Sequence, residues 1–158
     1  MQFKDDILNP CKDFISQFEK IIFLHIRRGD SIGKEDYHPI QPIEYYIEAL
    51  NHFDDDTFVF VSSDDVEWCS KQDIFKNERF LMNLNNDKYS DGFPVPYIDL
   101  CLMSLCSGAI IANSTLSWWG AWLQQDPNKK IIAPKNWFGP KLSHQILDDL
   151  FPDNWVII

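Results

Sequence analysis

At 158 residues the chain is long enough for one domain with a real core, and 45% hydrophobic against 24% charged residues marks it as globular. A formal net charge of −10 excludes general nucleic-acid binding, which rests on basic surface. No segment approaches the roughly 18 consecutive apolar residues of a membrane helix, and the opening Met1-Gln2-Phe3-Lys4-Asp5-Asp6 does not read as a secretory leader. The expectation is therefore a cytoplasmic protein, with at most peripheral contact with a membrane.

Taken in chain order, residues 6–19 set Ile7, Leu8, Cys11, Phe14, Ile15 and Phe18 at helical spacing. "KIIFLHI" then reads as a buried strand. Residues 29–41, with Gly29, Gly33 and Pro39, read as a loop. Pro42 opens a helix to about Asn51. "TFVFVSSDD" is a second strand running into an acidic helix start, and "RFLMNL" a weaker third. Residues 85–94 are polar loop and residues 96–107 an apolar helix. "AIIAN" is a strand, and "STLSWWGAWLQQ" a helix capped by Ser114 or Thr115, its tryptophans expected in the core. "KKIIAP" is a strand, "PKNWFGPK" a loop, "SHQILDDLF" a short helix and "NWVII" a terminal strand or tail. Strands alternating with helices imply one α/β domain, residues 1–158, built on a parallel sheet covered on both faces.

In such sheets ligands bind beyond the carboxyl ends of the strands. Three of those ends are polar: "HIRRGD", "VSSDD" and "ANST". Arg27 and Arg28 are two of only three arginines in this acidic chain. Guanidinium groups fork onto phosphate oxygens, so the pair suits an anion. A surface salt bridge between Arg28 and Asp30 accounts for the same residues. The "RGD" tripeptide carries no adhesion signal without a secreted loop tip. Ser114 and Thr115, where a strand enters a helix, suit either an anion site or a plain cap. Asp64 and Asp65 suit a ribose diol, a guanine N–H edge or a helix start. Asp99, inside the apolar run "PYIDLCLM", needs a donor from the protein or from a ligand. His25 and His38 flank the same region, while His52 and His144 read as surface positions. Asn113-Ser114-Thr115 matches a glycosylation acceptor by chance. The four cysteines read as reduced, mostly buried thiols, with no spacing for zinc.

"HIRRGD" resembles the HxRRxD motif of fucosyltransferases. "YIDLCLMSLCSGAIIANSTLSWWGAWL", "IIAPKNWFG", "EYYIEAL", "FVFVSSDDVEW" and "FPDNWVII" resemble later blocks of the bacterial α-1,2-fucosyltransferases of glycosyltransferase family 11. The resemblance runs over about residues 20–158. It implies a Rossmann-like domain, like the C-terminal half of a GT-B enzyme, that binds GDP-fucose as donor substrate. It further implies inverting transfer of L-fucose to a galactoside 2-hydroxyl, with no metal or other cofactor. Arg27 and Arg28 then fall near the pyrophosphate, with His25 and Asp30 flanking them. Ser114 and Thr115 fall on the phosphate side, Asp64, Asp65 and Asp99 on the nucleoside side. Similarity to α-1,6-fucosyltransferases of related fold, whose guanine-reading carboxylate Asp99 resembles, puts a candidate general base at Glu35, with Asp36 as its rival. Members of the family are longer, with the arginines near their middle. The acceptor-side N-terminal half is thus expected to be absent here, or supplied by another chain. A catalytically silent GDP-binding domain and a fucosyltransferase of another linkage remain the alternatives.

Overall fold

The computed structural model describes residues 2–82 and 95–158. Its centre is β1 (Ile21–Ile26), every residue of which is buried. Alternate side chains of β1 serve opposite faces of the sheet. Ile21 and Phe23 join a cluster with Cys11, Cys101, Met103 and Ala121. Ile22, Leu24 and Ile26 join another with Tyr46, Ala49, Cys69 and Phe75. A strand wetted on neither face is built of apolar residues on both, with His25 near its end as the exception, which is why its sequence does not alternate.

Around β1 stand α1 (Asp5–Ile15), α2 (Ile43–Leu50), β2 (Phe58–Ser63), α3 (Val66–Ser70), β3 (Phe80–Met82), α4 (Val95–Leu105), β4 (Gly108–Ile110), α5 (Thr115–Leu123), β5 (Lys130–Ala133) and β6 (Val156–Ile157). Short 3-10 turns occupy Asp73–Phe75 and Pro140–Leu142. The six strands are ordered β3-β2-β1-β4-β5-β6, and the pairings are parallel throughout. Residues of α2 and α3 cover one face of the sheet, and residues of α1, α4 and α5 the other. This is the doubly wound, Rossmann-like α/β architecture expected from the alternation of elements.

Two close approaches fix the layers. A Cβ on Gly120 of α5 would lie 2.6 Å from the Cβ of Met103 on α4, so the two helices touch at that point. Past the C-terminus of α5, Lys129 Nζ donates to the carbonyls of Ala121, Trp122 and Gln124 at 2.9–3.0 Å. A cation there satisfies carbonyls that the helix leaves open and opposes the negative end of its dipole.

The expected loop at 85–94 and the end of "RFLMNL" lie outside the described residues, apart from Phe80–Met82, which is a strand. The helix expected over 143–151 is absent: this stretch is a series of turns. Leu147, Leu150 and Phe151 pack on the core, and the Leu150 carbonyl accepts from Trp118 Nε1 at 2.8 Å. Tertiary contacts claim groups that a helix would have used. All four cysteines are buried and free. No helix among the described residues is long and apolar enough to cross a membrane.

Candidate functional site

Strand order reverses between β1 and β4: from β1 the sheet grows through β2 to β3, and from β4 through β5 to β6. The connections therefore diverge at this seam and leave a crevice beyond the strand ends. A cavity of about 650 Å³ occupies it. The loop after β1 contributes Arg27, Asp30, Ser31, Lys34 and His38; the turn after β4 contributes Asn113, Ser114 and Thr115. Trp118 and Trp119 of α5, with Trp137, Phe138 and Leu150, form an apolar wall. One side is thus polar and cationic, the other aromatic.

The two arginines part company. Arg27 faces the cavity, where its Nε donates to Asp30 Oδ1 at 2.7 Å and its Nη2 donates to Asp30 Oδ2. Asp64 Oδ2 lies 3.4 Å from Arg27 Nε on the other side. The fork holds Asp30 below its usual carboxylate range. These contacts aim the guanidinium and leave its other N–H groups for a ligand. Arg28 does not line the cavity. Its Nε donates to Asp65 Oδ2 at 3.2 Å, and its guanidinium carbon stands 4.3 Å from the centre of the Trp68 ring. Asp30 is therefore the partner of Arg27, not of Arg28 as the sequence suggested. Asp64 Oδ1 accepts from the backbone N–H of Arg28 at 2.8 Å, and Asp65 Oδ1 accepts from Trp68 N at 3.1 Å, capping α3.

The N-terminus of α5 lines the same cavity as Arg27. Ser114 is its N-cap in extended conformation, and its hydroxyl makes no capping bond. Ser114 and Thr115 line the same cavity as Arg27. Helix N-termini favour anions through their free N–H groups and through the dipole. Beside them, Asn113 acts as a clamp. Its Nδ2 donates to the carbonyls of Pro39 and Trp137 at 3.0 and 3.2 Å, and its Oδ1 accepts from Gln41 Nε2 at 3.0 Å. Asn113 thereby ties the loop after β1 to the loop after β5.

His25 is buried beneath this seam, and its Nδ1 finds no hydrogen-bond partner among the described residues. Burial and the Arg27 charge push its pKa down to about 4, so the ring is neutral. Asp99 is only 8% exposed and accepts from Ser62 Oγ at 2.8 Å. It is joined to the end of β2 and not to the cavity. Glu35 is exposed and outside the cavity lining. Its Oε1 accepts from Gly33 N at 3.1 Å, and backbone hydrogen bonds lower its pKa. Asp36 pairs with Lys141 Nζ at 3.0 Å. Among the described residues no group of three or more His, Cys, Asp or Glu is placed to hold a metal ion.

Sequence reasoning passed over Lys34, Asn113, Trp119, Trp137, Phe138 and Leu150. A signal existed for two of them: "PKNWFGPK" follows β5, and in a parallel sheet its end must lie on the same edge as the other three. Trp119 and Trp122, expected in the core, are 48% and 50% exposed.

The fold and the crevice together define a Rossmann-like domain with a cavity lined by cationic, polar and aromatic side chains at its topological switch point. The family model described as glycosyl transferase family 11 matches residues 6–158, and the chain belongs to that family. It is 34% identical, over 98% of its length and 52% of the relative's, to a protein of Escherichia coli named O-antigen biosynthesis glycosyltransferase WbnK. It is 36% identical, over 87% of its length and 47% of the relative's, to an Escherichia coli alpha-1,2-colitosyltransferase. The chain thus spans about half the length of the curated relatives it matches.

Proposed function

We propose that the chain is the donor-binding half of an inverting glycosyltransferase that moves L-fucose from GDP-fucose to the 2-hydroxyl of a galactoside. The observation that carries this reading is that Arg27 and the start of α5, Ser114 and Thr115, line one cavity at the β1/β4 seam. A diphosphate fits between them. As the bond from the sugar's anomeric carbon to the β-phosphate oxygen breaks, charge grows on that phosphate. Arg27, Ser114, Thr115 and the helix N-terminus stabilise it without a metal. Arg28 braces the rim through Asp65 and Trp68. The nucleoside lies toward β2, where Asp64, Asp65 and Asp99, held by Arg28, Trp68 and Ser62, shape that side of the site through the protein's own hydrogen bonds.

The acceptor hydroxyl attacks from the opposite face, which inverts the anomeric centre, and gives its proton to a carboxylate. Glu35 is assigned that role over Asp36. It is free of the lysine that holds Asp36, and it stands on the loop that brings Lys34 to the cavity. Acceptor recognition is assigned in part to protein surface outside these 158 residues, because the match accounts for about half of each relative.

A second reading concerns the sugar. One relative's name specifies an α-1,2 linkage but colitose instead of fucose. Parallel assays with GDP-fucose and GDP-colitose on a galactoside acceptor decide between them. The primary test is thermal stabilisation by GDP, UDP and ADP. A ligand at a hundredfold excess over its dissociation constant adds about 2.7 kcal/mol. GDP is expected to stabilise the chain and the other two much less. Calorimetry showing no GDP binding at near-millimolar concentration sinks the proposal, and binding without any fucose release reduces it to a silent nucleotide-binding domain.

A further inference from the structure

The reading above gives the polar side of the cavity a role and leaves the aromatic side without one. Trp119 stands out on that side. It lines the cavity yet is 48% exposed, so about half of this large apolar residue is open to solvent beside the crevice. It is also held in place. Trp119 meets Trp118 edge-to-face at 5.1 Å and 80°. Trp118 is stacked on Trp122 at 5.4 Å and 12°, and its Nε1 is tied to the Leu150 carbonyl. A large apolar ring that is exposed and rigid before any ligand arrives loses little entropy when one packs on it.

We infer that Trp119 is the surface on which the hexose of the nucleotide-sugar donor packs, separate from the groups that grip its diphosphate. This rests on the cavity being a nucleotide-sugar site. Position along α5 supports it. Trp119 follows Thr115 by one helical turn, so the two residues share a face of the helix about 6 Å apart along the axis. A diphosphate at Ser114 and Thr115 carries its sugar on the terminal phosphate, which sets the ring at that distance. A pyranose has an apolar C–H face and a hydroxylated edge, and a 6-deoxy sugar adds a methyl group to its apolar surface. Trp119 fits the first. Lys34, His38 and Ser31, across the cavity, offer hydrogen bonds to the second.

The test is calorimetric titration of the whole chain with GDP and with GDP-fucose. Wild type is expected to bind GDP-fucose more tightly than GDP. In Trp119→Gln, affinity for GDP-fucose is expected to drop by about five- to tenfold, to near the GDP value, while GDP affinity stays constant. Trp119→Leu, which is apolar but has no ring, is expected to give the same selective loss, and it carries the test if the Gln variant fails to fold. Equal affinity of wild type for GDP and GDP-fucose overturns the inference. So does a loss common to both ligands, or no change in either variant. In all three cases GDP still binds and the diphosphate reading stands. Failure of wild type to bind GDP at all overturns both.

Discussion

The two flanks of β1 use the same kinds of residue for different ends. Toward β2, Arg28, Asp64, Asp65, Ser62 and Asp99 satisfy one another: Asp65 takes Arg28 and caps α3, and Asp99 takes Ser62. Toward β4, Arg27 has Asp30 beside it, but the α5 N-terminus on the same cavity has no side-chain cap. The β2 flank is closed on itself, and the β4 flank faces a cavity. The lesson is that a polar strand end marks a ligand site only where its donors outnumber its own acceptors.

The sharpest way to break this comparison is to change each arginine alone. Arg27→Ala is expected to cost about 3 kcal/mol of GDP binding, roughly a hundredfold, with little change in melting temperature. Arg28→Ala is expected to lower the melting temperature and leave most of the binding, measured by calorimetry and thermal unfolding. Equal binding losses would erase the distinction.

His25, at the boundary, adds a pH dependence. Its pKa is about 4 folded and near 6.5 unfolded. The unfolded chain therefore binds the proton first. The contribution of His25 is complete above pH 6.5 and is lost as pH falls toward 4, by about 3 kcal/mol in total. Urea midpoints at pH 7.5 and 5 should differ more in wild type than in His25→Gln. The loss should be smaller in Arg27→Ala, where one cause of the shift is gone.

Gly139 tests the mount of the open flank. A Cβ there would lie 2.3 Å from the carbonyl oxygen of Asp36, and Gly139 N donates to Tyr37 O at 2.9 Å. Gly139→Ala is expected to destabilise the chain by about 2 kcal/mol and to weaken GDP binding, because the loop that carries Lys34 and His38 must move. The smallest effect belongs to the closed flank. Ser62→Ala removes a donor from Asp99 and is expected to cost about 1 kcal/mol of stability by urea unfolding, with GDP affinity unchanged.

Much of this was legible in the sequence. Apolar runs ending in "RRGD", "SSDD" and "NST" announced parallel strands and a shared polar edge, and that edge exists. Hidden was which side each polar group serves. Side chains at a strand end alternate between faces, so Arg27 and Arg28 point apart, and no spacing rule reveals which one has the cavity. The exposure of Trp119 and Trp122 was hidden for a related reason. Helical periodicity identifies an apolar face but not where the neighbouring layer stops. The turns over 143–151 escaped because their groups are claimed by Trp118 and by the core, far away in sequence.

The near-parallel indoles of Trp118 and Trp122, with Trp155 centred 5.6 Å from Trp118, have one practical consequence. Chromophores this close share their excitation, so the chain carries an optical signature in the near-ultraviolet dichroism that no isolated tryptophan gives. Because Trp119 abuts this cluster at the mouth of the crevice, occupancy and unfolding should each alter that spectrum in a distinct way, and an unlabelled sample reports on both.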